Sequence, residues 1–400
     1  MSRNTRIQAM HVTSANAWAA NTDVAYVPGT TLFLDYSYWR HPGAIGHWGG
    51  DVLYPLFSVL RQFGLPTIDR IVILHIKHRH LIPWVRYTMA VALGVEMDAL
   101  PPVTLMRTDK PDGIGPGPHT PLFGLDDNRW YVFERGLHVH DTFSGGKRGF
   151  ARAADHIAWR EEMYRRAGVE PGWAQDNQIT FHLSPPRPLS HGRRVVNEEA
   201  LLDVLREYGP VQTVQFRSST PFEEQVQTMA NSSIFVAIHT SVLTNAVLLR
   251  PGAAVFEITP CNLQWGQLEQ FMKTLTTAGG DIHHFAWRCE NISHTHHHEA
   301  AQRRKFSHWL QRECMGEECV EAAVKVDVEV DLDEFRRLLD ARLPQILAGE
   351  SAQSLDVKWE DMPTLYKPAA PVESEEEASD SAAEQGAEMA APRSTPAPPK

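Results

Sequence analysis

Residues 233–259, SIFVAIHTSVLTNAVLLRPGAAVFEIT, decide the fold of this chain. The apolar runs 233–239 and 253–259 have the length and the β-branched content of buried strands, and the residues between them can form one helix. A strand, a helix and a second strand in this order build a right-handed crossover, whose two strands lie parallel in one sheet. The stretch therefore predicts a parallel α/β sheet.

The same alternation continues toward the N-terminus. Further strands are predicted at 31–36, 69–75, 130–138, 178–183 and 211–216, and helices at 49–63, 81–93, 151–167, 197–208, 222–231 and 331–347. Residues 101–123 are rich in proline and glycine and predict a loop. The repeated order predicts an α/β protein with two Rossmann-like domains that face a cleft, residues 30–170 and residues 171–347.

Composition and charge narrow the class of protein. A chain of 400 residues with 42% hydrophobic content can bury two domain cores. About half of the formal net charge of −11 comes from residues 371–400, and 368–400 lack aromatic side chains, which predicts a disordered acidic tail. The modest charge elsewhere argues against nucleic acid as a partner. No apolar run approaches the ~20 residues of a transmembrane segment.

The loops at the carboxyl ends of the strands are the places to look for a ligand site. In the second half these loops are 184–194, 217–220, 239–245 and 257–260. The loop at 239–245 follows a strand and starts a predicted helix with small polar residues, so its backbone N–H groups could bind a phosphate. A serine or threonine that only caps the helix is the alternative.

Four short motifs follow one another in this half. Their residues are Arg193, Val195, Asn197, Glu198, Phe222, Glu224, Gln225, His239, Leu243, Thr244, Asn245, Pro251, Gly252, Val255, Glu257 and Pro260. In order and spacing this set resembles glycosyltransferase family 61, which carries an R-x-I-x-N-E stretch, an F-x-E-Q helix, a G-x-H-G-A-G-L-T-N turn and a P-G-x-x-V-x-E-x-x-P strand. More faintly, 46–57 resembles an N-terminal segment of the family, 132–138 its central strand, and Cys314 with Cys319 its C-terminal cysteine pair.

The resemblance implies a GT-B type fold and a function. It implies an inverting, metal-independent glycosyltransferase that moves N-acetylglucosamine, xylose or arabinose from a UDP-sugar to a protein or glycan hydroxyl. A UDP-sugar is then the donor substrate, and no cofactor is required. None of the strands predicted here is followed directly by an Asp-x-Asp pair, which agrees with metal independence, and HTHHH at 294–298 is interpreted as a loop.

Roles follow from the chemistry of transfer, which must neutralise the leaving diphosphate and deprotonate the acceptor. We expect Arg187, Arg193 and Arg194 to be the candidates for the diphosphate, with Arg193 or Arg194 preferred, although ordinary surface arginines would look the same. The further donor-site residues are His239, Thr244, Asn245 and Glu257, the last facing the ribose. His47 is the expected acceptor base, and Asp51 is the second candidate.

The turn departs from the family pattern, and this keeps other functions open. Thr240, Ser241 and Val242 replace residues of the glycine-rich turn, and glycine there would permit positive φ and close approach to phosphate. Replacing Val242 by glycine is therefore expected to preserve or raise donor affinity. The alternative function is a catalytically degenerate binding protein. Another nucleotide-dependent α/β enzyme is less favoured because G-x-G-x-x-G is absent.

The resemblance also implies a location. Members of the family work in the lumen of the endoplasmic reticulum or Golgi, but the sequence shows neither a signal peptide nor an anchor. The chain is therefore expected to be either truncated or cytosolic. The oxidation state of Cys314 and Cys319 distinguishes the two, since a disulfide indicates the lumen.

Overall fold

The computed structural model of the protein describes the greater part of the chain. The described residues are 24–35, 45–64, 67–74, 82–106, 130–139, 149–170, 177–184, 193–217, 219–261, 263, 268–306, 322–323 and 325–350. All of them belong to one compact unit, Met1–Asp356. The predicted tail at 368–400, Arg187 and the Cys314/Cys319 pair lie outside the described residues.

Parallel strands dominate the described residues and confirm the α/β class. In chain order the strands are β1 Val24–Asp35, β2 Arg70–Leu74, β3 Val103–Met106, β4 Trp130–Val139, β5 Ile179–His182, β6 Arg194–Val195, β7 Val211–Val214, β8 Ile234–Ile238, β9 Ala254–Thr259, β10 His283–Arg288, β11 Thr295–His297 and β12 Val326–Val328.

The first sheet has the strand order β3-β2-β1-β4, and all of its pairs are parallel. Its central strand β1 begins at Val24, earlier than predicted, because it continues along β4 beyond a register shift between Val27 and Thr30. The prediction of a loop throughout 101–123 is wrong at β3. This four-residue strand follows two prolines and is specified by its pairing with β2 rather than by local sequence.

The second sheet has the order β10-β9-β8-β5-β7, again with every pair parallel. This is a doubly wound order, in which the chain winds outward in both directions from the β5/β8 pair. A crevice for ligands forms at the carboxyl ends of such a pair. β10 was not predicted, because its sequence HHFAWR carries two histidines where a buried strand is expected to be apolar.

A third, small sheet has the order β11-β12-β6. It overturns the prediction of a loop at 294–298 and, at the last residue only, that of a loop at 184–194. β6 contributes only two residues to the sheet, and β11 lies in the histidine run. Strands this short leave no periodic pattern in the sequence, so their pairing with β12 becomes visible only in the folded chain.

Helices connect and cover the strands of both large sheets. Besides short 3₁₀ turns, the described ones are a helical turn Ile45–His47 continued by the π-helical turn Trp48–Leu53, then α1 Tyr54–Phe63, α2 Pro83–Leu93, α3 Ala153–Arg166, α4 Glu198–Arg206, α5 Phe222–Ala230, the 3₁₀ helix Ser241–Leu248, α6 Leu268–Thr276, α7 Ala300–Phe306 and α8 Leu332–Leu347. Pro83 starts α2, where its missing N–H costs nothing.

Helix α3 connects the two halves of the chain. It precedes the predicted boundary at 170, yet the O–H of Tyr164 donates to the carbonyl of Leu248 at 2.7 Å. His156 Nε2 lies 2.8 Å from the carbonyl oxygen of Val247, and Arg160 forms an ion pair with Asp281. The contacts of Tyr164 and His156 fix the 3₁₀ helix Ser241–Leu248 against α3, and the ion pair of Arg160 attaches α3 to the segment before β10. The domain boundary stays a prediction.

Candidate functional site

The chain turns at His239, directly after β8 and beside the β5/β8 crevice. The next residue, Thr240, is extended with φ −149° and ψ 172°, and a 3₁₀ helix over Ser241–Leu248 follows. The sequence predicted an α-helix here. Residues 242–248 are all buried, so tertiary packing rather than helix propensity sets the tighter winding.

A buried chain of hydrogen bonds crosses the carboxyl side of the sheet. His239 Nδ1 is in contact with Glu257 Oε1, and Glu257 Oε2 lies 2.7 Å from His284 Nε2. His284 Nδ1 lies in turn 2.6 Å from Thr276 Oγ1. Sequence reasoning missed His284 and Thr276, because the strand and helix that carry them were not predicted.

The carboxylate of Glu257, at the centre of these hydrogen bonds, is held ionised. Burial alone would raise the pKa of Glu257, but the charge and hydrogen bond of His239 and those of His284 outweigh it and lower the pKa to about 2. An ionised carboxylate only accepts hydrogen bonds, so His239 donates from Nδ1.

This geometry also changes what Glu257 can do. Its side chain is buried, and both of its oxygens contact histidine nitrogens. A direct contact with a ribose would require one of these hydrogen bonds to open. The structure therefore assigns Glu257 an internal contact that the sequence did not indicate, and its role toward a donor stays a prediction.

Arg193 supplies a positive charge at the same place. Burial lowers the pKa of this guanidinium to about 10, against the opposing charge of Glu257. Its Nε and Nη1 atoms are shielded from solvent and have no hydrogen-bond partner among the described residues. Buried guanidinium donors without partners are costly unless a ligand satisfies them, and a phosphate matches their geometry.

Arg194 has a different environment from its neighbour. It is the first residue of β6, where its backbone pairs with Asp327 of β12, and its charge acts on Glu198. Burial raises the pKa of Glu198, and Arg194 opposes that shift. Of the two arginines, Arg193 is thus the one whose charge is coupled to Glu257.

Residues 45–53 bring the other predicted site residues to the 3₁₀ helix. A methyl group added at Gly46 would lie 3.3 Å from Thr244 Oγ1, and one at Gly49 would lie 3.2 Å from Thr244 Cγ2. Glycine at these positions lets the two backbones approach each other closely. Segments almost 200 residues apart in sequence therefore meet here.

His47 and Asp51 form a pair within this segment. His47 Nδ1 lies 2.9 Å from Asp51 Oδ2, one helical turn away. The side chain of Asp51 is fully buried, whereas that of His47 is 33% exposed. A buried carboxylate that orients a partly exposed histidine is a common arrangement for proton transfer.

Thr244 and Asn245 are both buried in the 3₁₀ helix. Asn245 Nδ2 donates to Gln225 Oε1 at 2.9 Å, and Gln225 Nε2 donates to the carbonyl of Thr220 at 3.1 Å. Two of the motifs that carry the family resemblance are thereby joined to each other. Asn245 fixes the 3₁₀ helix against α5, and any contact of Thr244 or Asn245 with a donor stays a prediction.

The missing glycines of the turn have little effect on its backbone. Among the described residues other than glycine, positive φ occurs at Asn177, far from the turn. Val242 is buried within the main hydrophobic cluster, at 8% exposure. The expectation that Val242 narrows a phosphate site is therefore not supported, because its side chain fills the core.

A cavity and several side-chain clusters lie away from the predicted site residues. A cavity of about 870 Å³ lies between α1, α2 and α3, lined by Phe57, Arg61, Leu93, Glu96, Glu162 and Arg165 among others, and it includes none of the predicted site residues. Within the described ranges, no group of three or more His, Cys, Asp or Glu side chains is placed to hold a metal ion. None of the helices that the structure describes is both long and apolar enough to span a bilayer.

Comparisons with known proteins agree with the family resemblance. The family model of Glycosyltransferase 61 matches residues 45–256, which include both the 45–53 segment and the turn after β8. The protein O-linked-mannose beta-1,4-N-acetylglucosaminyltransferase 2 of Takifugu rubripes is 24% identical over 253 residues, 54% of this chain and 41% of that protein. The chain thus spans less than half the length of this curated relative.

Solved structures add little to this. The glycosyl transferase family 9 protein of Veillonella parvula aligns with a TM-score of 0.26 and 8% identity, covering 82% of this chain and 99% of that chain. The wall teichoic acid polymerase TagF aligns with a TM-score of 0.21 and 9% identity, covering 81% of this chain and 86% of that chain. Scores this low are not evidence for a shared arrangement.

Proposed function

The chain belongs to glycosyltransferase family 61, and from this membership we propose that it transfers a sugar from a UDP-sugar to a hydroxyl of a protein or glycan. The donor site in this proposal lies at the carboxyl ends of β5 and β8. The acceptor approaches from the side of residues 45–53. The two parallel sheets would then act as two Rossmann-like halves that face a common cleft, as in GT-B enzymes.

The proposal rests on one observation: Arg193 and His239 both interact with the buried carboxylate of Glu257. Arg193 has shielded donor atoms without partners, and its charge interacts with the carboxylate that holds His239. This is a site with unsatisfied positive charge next to a correctly oriented histidine. A diphosphate is the ligand class that satisfies such a guanidinium.

The residues suggest a metal-independent, inverting displacement. The acceptor hydroxyl gives its proton to His47, which Asp51 orients, and its oxygen bonds to the anomeric carbon while the bond from that carbon to the diphosphate breaks. The electron pair of the broken bond stays on UDP. Arg193 stabilises this charge as it grows, and His239 donates to the diphosphate or the sugar.

The transferred sugar is proposed from the relative's name. The Takifugu rubripes protein is an N-acetylglucosaminyltransferase. This favours UDP-N-acetylglucosamine over donors of xylose or arabinose. By the same analogy we propose that the protein works in the endoplasmic reticulum or Golgi lumen, which a disulfide between Cys314 and Cys319 in natively purified protein would support.

Thermal unfolding with and without UDP tests the proposal. At 100 times its dissociation constant, UDP stabilises a protein by about 2.7 kcal/mol, which is visible as a raised unfolding midpoint. We expect this rise for the unmodified protein and its loss in Arg193→Ala, with a smaller effect of Arg194→Ala. Arg206→Ala is the matched control, because Arg206 pairs with Asp203 on the surface of α4.

Two results would contradict the proposed donor site. If millimolar UDP leaves the midpoint unchanged in the unmodified protein, the proposed donor site is wrong. If Arg193→Ala responds to UDP as strongly as Arg206→Ala does, UDP binds somewhere else on the protein.

A further inference from the structure

Two cysteines meet at the carboxyl edge of the second sheet. Cys261 follows β9 and Cys289 follows β10, and these strands are parallel neighbours in register up to Thr259 and Arg288. The two sulfur atoms lie 2.7 Å apart, and both residues are almost completely buried. Neither cysteine is bonded to another in the structure.

The backbone holds this pair in place. The N–H of Cys289 donates to the carbonyl of Thr259 at 2.9 Å and continues the ladder between β9 and β10 beyond its last strand pair. Two sulfurs brought this close by paired strands need little further movement to bond. From the sequence only Cys314 and Cys319 are predicted as a pair, because residues 261 and 289 are far apart in sequence.

The two thiols are not equivalent. The hydrogen bond from Cys261 lowers the pKa of Cys289 and raises that of Cys261, so one proton is shared with Cys261 as its donor. Thr295 Oγ1, 3.6 Å from the Cys289 sulfur, also stabilises the thiolate. Cys289 is therefore the better nucleophile of the pair.

From this geometry we propose that Cys261 and Cys289 form a disulfide that cross-links β9 to β10. The oxidant is a low-molecular-weight disulfide, as is found in oxidising compartments. The Cys289 thiolate attacks one sulfur of this disulfide and releases one thiol. Cys261 then loses its proton and attacks the Cys289 sulfur, which releases the second thiol. Two protein thiols are oxidised, and one small disulfide is reduced to two thiols.

The cross-link would stiffen the sheet edge that carries the buried hydrogen bonds between His239, Glu257 and His284. Glu257 lies in β9 and His284 lies in β10, so their hydrogen bond spans the two strands that the disulfide would join. The proposal concerns covalent chemistry alone. Its test does not depend on sugar transfer and stays separate from the test of the proposed function.

Mass spectrometry of a two-cysteine protein provides the test. The chain has four cysteines, so the variant Cys314→Ser/Cys319→Ser retains only Cys261 and Cys289. The folded variant is incubated overnight with glutathione disulfide, then unfolded and treated with N-ethylmaleimide. We expect a monomer whose mass is lower by two hydrogen atoms, no alkylated cysteine, and one cross-linked peptide pair that contains both residues.

Two further proteins are needed in case the two-cysteine variant folds poorly. The same treatment of the unmodified chain, followed by peptide mapping, shows whether the 261–289 link also forms when all four cysteines are present. The oxidised protein is also expected to unfold at a higher temperature than the reduced protein, a difference that Cys261→Ser/Cys289→Ser abolishes. Two alkylated cysteines at 261 and 289, or only glutathione adducts there, would overturn the proposal in either protein.

Discussion

Glu257 is the single residue on which the proposed donor site depends most. This carboxylate lies inside the sheet and touches His239 on one side and His284 on the other. We infer that Glu257 positions His239 and does not itself contact the donor. Its replacement by glutamine keeps the shape of the side chain but removes the charge that holds His239 Nδ1–H.

We predict that Glu257→Gln lowers kcat/KM for sugar transfer by roughly 10²–10³-fold, as removal of one oriented electrostatic partner does in other enzymes. The pH profile of kcat/KM should also shift, because His239 Nδ1–H would then face a neutral amide in place of a carboxylate. Glu162→Gln is the control, since Glu162 interacts with Arg165 and Arg166 on α3, and it should leave both quantities unchanged. An unaltered pH profile in Glu257→Gln would contradict the positioning role.

The same residue makes stability depend on acid. Because the pKa of Glu257 falls from its ordinary value of 4.5 to about 2 on folding, its contribution is complete above pH 4.5 and is lost as the pH falls toward 2. The difference in free energy of unfolding between the unmodified protein and Glu257→Gln should therefore shrink over this range. Urea titrations at several pH values measure it, and a constant difference would argue against an ionised Glu257.

Val242 gives a prediction opposite to the one drawn from the family pattern. Its side chain is buried in the main core, so Val242→Gly should leave a cavity and add backbone freedom, at a cost of roughly 2–4 kcal/mol. UDP affinity should not rise. Val196→Gly is the matched control, because Val196 is 54% exposed and should cost under about 1 kcal/mol. A stable Val242→Gly that binds UDP more tightly would restore the earlier interpretation.

At the scale of elements, the attachment of α3 to the second half is the feature that the sequence did not show. Arg160 on α3 is only 3% exposed and pairs with Asp281, which precedes β10 and is 25% exposed. Removing one partner of such a pair leaves a buried charge without compensation. The contribution of this pair to the free energy of unfolding can therefore be compared with that of an ion pair on the surface.

Asp281→Asn should lower the free energy of unfolding by about 2–3 kcal/mol, near the lower end of the range for broken buried pairs. Asp203→Asn, which breaks the exposed pair with Arg206, should cost no more than about 1 kcal/mol. Chemical denaturation of both variants measures the difference. Equal costs would mean that the α3 contact contributes no more than a surface ion pair.

The elements also show what the sequence could predict. β8 and β9 are apolar and β-branched over their whole length, so a local pattern identifies them. β3, β6 and β10 are short or contain polar residues, and only their neighbours in the sheet make them strands. Motif spacing predicted Arg193, His239 and Glu257 as site residues, but the contact of Glu257 with His284 depends on β10, which no motif indicated.

At the scale of the whole molecule, the described residues form one compact unit despite having two large sheets. Residues 45–53 meet the 3₁₀ helix Ser241–Leu248, and α3 contacts the same helix from its own side. One hydrophobic cluster contains residues of both halves, for instance Trp48 and Phe235. Breaking the two halves apart would therefore expose core residues.

We predict that the two sheets unfold together. Native-state hydrogen exchange should give similar opening free energies for the central amides of β2 and of β8, and both should fall by the same amount in Asp281→Asn. An independent domain would behave differently. If β2 opens at a much lower free energy than β8, and Asp281→Asn affects β8 alone, the halves are separate folding units.

A crystal structure of the protein with UDP bound tests the proposed donor site most directly. We predict that the diphosphate lies within hydrogen-bond distance of Arg193 Nε and Nη1, that His239 contacts it from the turn after β8, and that Glu257 remains hydrogen-bonded to both histidines. A UDP molecule bound between α1, α2 and α3, or a diphosphate that contacts neither Arg193 nor His239, would contradict it.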